Sequence, residues 1–285
     1  MKIPKRIIPL YEDGLVDEVL SQLMSGKEAT VYVVRCGDEI RCAKVYKEAD
    51  KRSFKQAVQY QEGRTHKNSR RQRAMEKGSK YGRKQAEEAW HNAEVDALYR
   101  LDSAGVRVPK PYGCFDGVLL MELVCDDDGS VAPRLSEVAF DEDQAIADHN
   151  MMMEYVKLML CEGLIHGDLS EFNVLVDDYG PVVIDLPQAV DAAANHHAQA
   201  MLTRDINKMR SYYGEYAPAL LSTEYAREMW SLYEAGELTP ETELTGKYDV
   251  EESEADIDAV MLEIKAALEE EEAKQAYLKS LEEDD

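Results

Sequence analysis

The segment Ile165–Val176, IHGDLSEFNVLV, concentrates the residue types that can do chemistry. Asp168 and Asn173 stand five apart, and a further acid, Asp185, closes the apolar run Val182–Asp185 that follows. An Asp beside an attacking hydroxyl can serve as general base. An Asn and an Asp offer hard oxygen ligands to Mg²⁺ or Mn²⁺ from two directions. Together they suit phosphoryl transfer, with Asp168 as base and Asn173 and Asp185 as metal ligands. Asp178-Tyr179-Gly180 joins Asn173–Val176 to Val182–Asp185, and a hairpin there brings both ligands to one end. Asp and Asn also cap turns. However, H-x-D-x-x-x-x-N followed by a strand-terminal Asp meets more constraints than capping requires. His166 reads as a structural hydrogen-bonder, with the base role on Asp168.

The nucleotide end of such a site needs a cation. Lys44, in the β-rich run CAKVYK, resembles the strand lysine that contacts the α- and β-phosphates in kinases. A lysine so used needs an acid to aim it, and Glu94 on a downstream helix is the choice, with Glu87 and Glu88 as nearby alternatives. Ser25, Gly26 and Lys27 can offer backbone N–H groups and a cation to phosphates. An ordinary polar turn explains that short piece equally well. It is not a P-loop, because the upstream Gly is missing and Glu28 replaces Ser/Thr.

The surrounding patterns predict the elements that hold these residues. Leu15, Val16, Val19, Leu20 and Leu23 recur at helical spacing, which predicts a short helix over 12–24. Thr30–Cys36 and Ile40–Tyr46 read as a hairpin around Gly37-Asp38-Glu39. Helical spacing runs from Arg83 to Leu101, and Gly105 ends it. Asp116-Gly117 marks a second hairpin turn before Val118–Val124. Residues 141–163 form a long helix whose Met151, Met152, Met153 and Met159 read as core packing. From about Gln199 to Gly236 the pattern is helical again, and 256–283 reads as a charged terminal helix.

Composition narrows the function classes. The 285 residues are 45% hydrophobic, enough for a sizeable core. The formal net charge is -24, which argues against a surface that grips nucleic acid or anionic membrane everywhere. That average hides a division. Residues 51–84 hold twelve Lys or Arg against two acids, a net of +10, and the remaining 251 residues carry -34. Residues 249–285 hold fifteen acids and three Lys. Five cysteines with no C-x-x-C spacing argue against a disulfide framework or a structural zinc site. No signal peptide is visible, and no apolar run approaches the roughly 20 residues of a membrane span. The chain reads as soluble and cytoplasmic, without a membrane partner.

Together, SGKEATVYVV, CAKVYK, WHNAEVDALYRL, LLMELV, HGDLSEFNVLV and VVIDLPQAVD resemble the RIO family of atypical serine/threonine protein kinases, from about residue 12 to 235. SGKEA and HGDLSEFN look like its first branch, while Pro187 looks like the second. The overall pattern is similar to compact bacterial members. The resemblance implies an α+β, two-lobed, protein-kinase-like fold. The N-lobe, 1–125, would be a small antiparallel sheet and the C-lobe, 126–248, mainly helical, with 249–285 an acidic tail. It implies a Lys44–Glu94 pair, Asp168 as base, metal on Asn173 and Asp185, and adenine against the backbone of Met121, Glu122 and Leu123. Some family members form an aspartyl phosphate at the residue matching Asp185. The basic stretch 51–84 falls at the family's flexible loop, with Ser53, Thr65, Ser69 and Ser79 as acceptors for autophosphorylation.

The expected activity is thus an ATP- and Mg²⁺-dependent serine/threonine kinase acting on proteins or on itself, with ATPase activity as an additional role. Two alternatives share the motifs. One is a small-molecule phosphotransferase of the aminoglycoside or choline kinase kind. The other is an ATP-gated assembly factor that meets a ribosomal particle or RNA through 51–84.

Overall fold

The computed structural model describes residues 3–26, 29–47 and 94–248. Lys27, Glu87, Glu88, the basic stretch with its four candidate acceptors, and the expected terminal helix lie outside the described residues. Met1–Lys247 form one unit, which holds every described site residue.

The N-terminal half is built on a five-stranded antiparallel sheet in the order β1-β2-β3-β5-β4. Its strands are β1 (Glu18–Ser25), β2 (Ala29–Cys36), β3 (Glu39–Tyr46), β4 (Pro111–Phe115) and β5 (Val118–Glu122). The helix expected over 12–24 is instead a one-turn helix α1 (Ile8–Glu12) followed by β1. The reason is pairing: β1 runs against β2 from Glu18↔Arg35 to Ser25↔Thr30, with two register shifts. Those bulges break the strict alternation by which a strand shows itself, so the apolar residues fall at helical spacing.

Alternation along the strands then sorts the two faces. Ala43, Val45, Val118 and Leu120 face one way and pack with Ile7, Leu10, Val16 and Val19. Tyr46 and Leu119 face the other way, toward Ala97, Leu98 and Leu101 of α2, the helix over residues 94–103. Lys44 shares that second face, opposite Val31 on β2 and Leu119 on β5. Sheet geometry thus aims Lys44 and Tyr46 together at the start of α2.

The C-terminal half is mainly helical: α3 (Glu142–Cys161), α4 (Ala198–Gly214) and α5 (Tyr225–Ala235). A capping box starts α3: Asp141 Oδ1 accepts the Gln144 N–H at 2.9 Å, and Gln144 Oε1 accepts the Asp141 N–H at 3.3 Å. Of the four methionines expected in the core, Met152, Met153 and Met159 are buried in the core shared by all three helices, and Met151 is only half-buried. Two short pairs complete the half: β6 (Leu164–Ile165) with β9 (Val190–Asp191), and β7 (Val174–Asp177) with β8 (Gly180–Val183). At Gly180, φ is +111° and an added Cβ would lie 2.7 Å from Met151 Cε, so the β7–β8 turn needs glycine.

Arg107 fastens the two halves. Its guanidinium donates to both carboxylate oxygens of Asp177, at 2.9 and 2.6 Å, and its C=O accepts the Val183 N–H at 2.8 Å. The β7–β8 hairpin is thereby docked on the chain that runs from α2 into β4.

The C-terminal core also holds an unusual acid. Asp148 on α3 is 9% exposed, its Oδ2 meets no hydrogen-bond donor among the described residues, and burial pushes its carboxyl up to about 6. A folded-state pKa above the unfolded value means that the native state keeps a proton which the unfolded chain releases. Stability from this group is therefore present at low pH and lost as pH rises from about 4 to about 6. Asp148→Asn is expected to be more stable than the parent above pH 6, by about 2–3 kcal/mol at most, and no more stable near pH 4. Urea unfolding at pH 4.5 and 7.5 measures this, and an equal difference at both pH values would exclude it.

Candidate active site

Lys44 on β3 meets two carboxylates. Its ammonium is 2.6 Å from Glu94 Oε1 and 2.8 Å from Asp185 Oδ1. The Lys44 and Glu94 side chains are 10% and 3% exposed, whereas that of Asp185 is 44% exposed. One cation thus bridges a buried anion on α2 and an open one past the end of β8. Burial alone would lower the Lys44 pKa, but Glu94 and Asp185 outweigh it and hold the ammonium charged well above the usual lysine range. At Asp185 burial likewise works against charge, and Lys44, with His166 and Arg134 further off, more than offsets it and keeps the carboxyl below its usual value.

Glu94 has a further partner that the sequence did not signal. The Tyr46 hydroxyl donates to Glu94 Oε2 at 2.5 Å. Tyr46 is two residues from Lys44, so both project from the same face of β3 and take one carboxylate oxygen each. Tyr46→Phe is expected to cost about 1.5–3 kcal/mol, because a buried charged acceptor loses a donor. It should also raise the KM for ATP several-fold, since Glu94 then holds Lys44 less tightly. Denaturant unfolding and ATP titration read the two effects, and parent values in both would exclude the role.

The loop after β6 carries the other candidate residues. Asp168 is exposed, and its backbone is held at both ends: its N–H donates to His166 Nδ1 at 3.3 Å, and its C=O accepts Asn173 Nδ2 at 2.9 Å. His166 is buried and bonds the Ile184 C=O through Nε2 at 3.0 Å. Asp205 on α4 accepts the N–H groups of Gly167 at 2.7 Å and Leu169 at 3.2 Å. It is 1% exposed, and burial pushes its carboxyl up to about 6 against the pull of His166 and those two amides. Arg204 on the same helix donates to the Gly167 C=O. Neither residue is legible from the loop motif, because both lie more than thirty positions away.

Asn173 and Asp185 come together through backbone pairing. Val174 faces Val183 across β7–β8, and the Ile184 N–H donates to the Asn173 C=O at 3.0 Å. Asp185 is in the left-handed region, φ +65°. With Asn173 Nδ2 and Asp185 Oδ1 already engaged, Asn173 Oδ1 and Asp185 Oδ2 are the oxygens left for a cation. One amide oxygen and one carboxylate are a thin donor set, which fits a hard ion that takes its other ligands from phosphates and water.

Of the remaining sequence-predicted residues, Ser25 ends β1 and Gly26 follows it. The Lys47 ammonium donates to Ser25 Oγ at 3.0 Å and to the Gly26 C=O at 2.6 Å, so it clasps the β1–β2 turn. Met121 and Glu122 end β5, and Leu123 follows. The Glu122 N–H donates to the Lys110 C=O at 2.9 Å, which ties the connector to β4.

Comparison with known proteins identifies the family. The family described as RIO domain matches residues 30–226. The chain belongs to the RIO family. It is 36% identical over 210 residues to the RIO-type serine/threonine-protein kinase Rio1 of Haloferax volcanii, covering 73% of this chain and 67% of that protein. The Rio1 of Methanocaldococcus jannaschii is 33% identical over 190 residues, covering 66% and 60%. Human serine/threonine-protein kinase RIO1 is 28% identical over 211 residues, and the match spans only 35% of its length. With these relatives the RIO domain here is a kinase-type phosphotransferase of α+β fold, for which ATP and a divalent metal are the general requirement. No helix among its described residues is long and apolar enough to cross a membrane.

Proposed function

We propose that this chain is an ATP- and Mg²⁺-dependent serine/threonine protein kinase of the RIO type that phosphorylates protein hydroxyls, including its own. The observation that supports this best is Lys44 held between Glu94 and Asp185, with the Asp168–Asn173 loop closed on itself by the Asn173 amide. In this reading Lys44 binds the α- and β-phosphates and Glu94 aims it. Ser25 and Gly26, clasped by Lys47, cover the phosphates together with Lys27. Met121, Glu122 and Leu123 present backbone groups to adenine. Asn173 and Asp185 hold Mg²⁺, or Mn²⁺ in its place, which offsets phosphate charge when bound. Asp168 accepts the proton of the attacking hydroxyl. The lobes meet near residue 125.

We place the protein in the cytoplasm, because all five cysteines are free thiols, as expected in a reducing compartment. The +10 stretch 51–84 supports an anionic partner, a ribosomal particle or RNA among them, by charge alone. Such an association should weaken steeply with salt in co-sedimentation.

Incubation with γ-labelled ATP tests the main proposal. Label should appear on serine or threonine of the chain itself or of a protein acceptor, and should vanish in Asp168→Asn. Label on an aminoglycoside or choline and never on protein would establish the small-molecule alternative instead.

A further inference from the structure

The loop from His166 to Asn173 reads His-Gly-Asp-Leu-Ser-Glu-Phe-Asn and contains no Lys or Arg. Two of its side chains, Asp168 and Glu171, are acids, yet phosphoryl transfer spreads negative charge over the migrating group and is helped by cations placed there. Lys44 is committed to Glu94 and Asp185 on the nucleotide side. Arg204 donates to a backbone carbonyl. On the acceptor side one further ammonium is in place: Lys208 Nζ lies 3.2 Å from Asp168 Oδ1.

Lys208 is not there by sequence proximity. It belongs to α4, forty residues beyond Asp168. Its position follows from Asp205, three residues earlier on the same helix. Asp205 grips the Gly167 and Leu169 N–H groups on either side of Asp168. Residues three apart share a helix face. The helix that fixes the backbone of the loop therefore delivers Lys208 to its carboxylate. The two side chains are 37% and 52% exposed, so the pair contributes little to stability and both groups are open to ligands.

We propose that Lys208 is the acceptor-side cation of phosphoryl transfer, contacting the migrating phosphoryl group. This rests on Asp168 being the base. In the step, the acceptor hydroxyl oxygen forms a bond to the γ-phosphorus of ATP. The bond from that phosphorus to the β,γ-bridging oxygen breaks, and its electron pair leaves with ADP. The hydroxyl proton passes to Asp168 Oδ2, the oxygen that Lys208 does not hold. As Asp168 takes the proton it loses its charge and its attraction for Lys208. The ammonium, on a flexible four-carbon stem, then follows the charge onto an equatorial phosphoryl oxygen.

Steady-state kinetics with γ-labelled ATP, on the full chain and on dephosphorylated casein, test this in Lys208→Met, Lys208→Arg and Asp168→Asn. Turnover at saturating ATP should fall about 100-fold in Lys208→Met, the usual scale for losing one transition-state contact, with the KM for ATP nearly unchanged. Lys208→Arg should recover most of the loss. Melting of Lys208→Met should match the parent, as for other exposed substitutions. Three results would overturn the role: parent turnover in Lys208→Met, a loss confined to the KM for ATP, or an equal loss in Lys208→Arg. If Asp168→Asn is inactive while Lys208→Met is fully active, only Lys208 is misassigned. If Asp168→Asn keeps parent turnover, the base assignment itself fails.

Discussion

Lys44→Met is expected to lose phosphoryl transfer almost completely and a large part of its stability as well, for separable reasons. The activity loss follows from charge. Lys44 carries the cation that meets the nucleotide phosphates in the proposed mechanism, and electrostatic stabilisation of this kind is worth about 100- to 1000-fold per contact. The stability loss follows from burial. Glu94 is 2% exposed, and without Lys44 its carboxylate keeps only the Tyr46 hydroxyl of the two partners described here. Removing one member of a buried ion pair costs about 3–5 kcal/mol. Because the Lys44 pKa is raised, its contribution to stability is complete below the unfolded lysine value and fades only as pH rises through the still higher folded value. Stability near neutral pH should therefore be insensitive to its titration. A second substitution separates the two losses. Lys44→Met with Glu94→Gln removes the orphaned charge and should recover most of the stability while activity stays absent. Urea unfolding and ATP turnover of both proteins decide this. Recovery of activity in the double variant, or no stability loss in the single one, would contradict the role given to Lys44.

The chemistry at this site was more legible in the sequence than the contacts that hold it. Asp168, Asn173 and Asp185 stand close together along the chain, and one hairpin register suffices to bring the two proposed ligands to one end. Lys44 was singled out because CAKVYK resembles the strand that carries the phosphate-contacting lysine of kinases. Glu94 was harder, because helical spacing does not say which of several carboxylates turns inward. The structure puts Glu94 on Lys44, while Glu87 and Glu88 lie outside the described residues. Tyr46, Asp205 and Lys208 could not be found by spacing alone. Tyr46 looks like any buried strand tyrosine until α2 brings a carboxylate to its hydroxyl. Asp205 reaches the Gly167 and Leu169 amides, and Lys208 the Asp168 carboxylate, only through the tertiary fold. Among the described residues, the helix expected over 12–24 fails and shows the same limit from the other side. Local periodicity cannot register that two bulges will let an irregular apolar pattern pair as a strand.

Asp185→Ala and Asp185→Asn are both expected to abolish metal-dependent activity, but to differ in stability. The carboxylate is what a divalent cation requires here, because the other protein donor, Asn173, is neutral. Lys44 keeps Asp185 ionised against the cost of desolvation, so the ligand is ready without waiting for deprotonation. Loss of that charge removes the cation's only anionic protein ligand in the proposed set, and a fall of about 1000-fold or more is the expected scale when phosphate charge is left uncompensated. The backbone separates the two variants. Asp185 lies at φ +65°, where Asn is tolerated and Ala is strained by roughly 1–2 kcal/mol. Lys44 retains Glu94 in both, so its own burial stays paired. Asp185→Asn should therefore unfold close to the parent, and Asp185→Ala earlier. A thermal-shift titration gives a readout independent of turnover. Mg²⁺ added with a non-hydrolysable ATP analogue should raise the melting temperature of the parent beyond the analogue alone, and that increment should vanish in both variants. An increment that survives in Asp185→Asn would move the metal to other ligands, and parent turnover in either variant would remove Asp185 from the reaction.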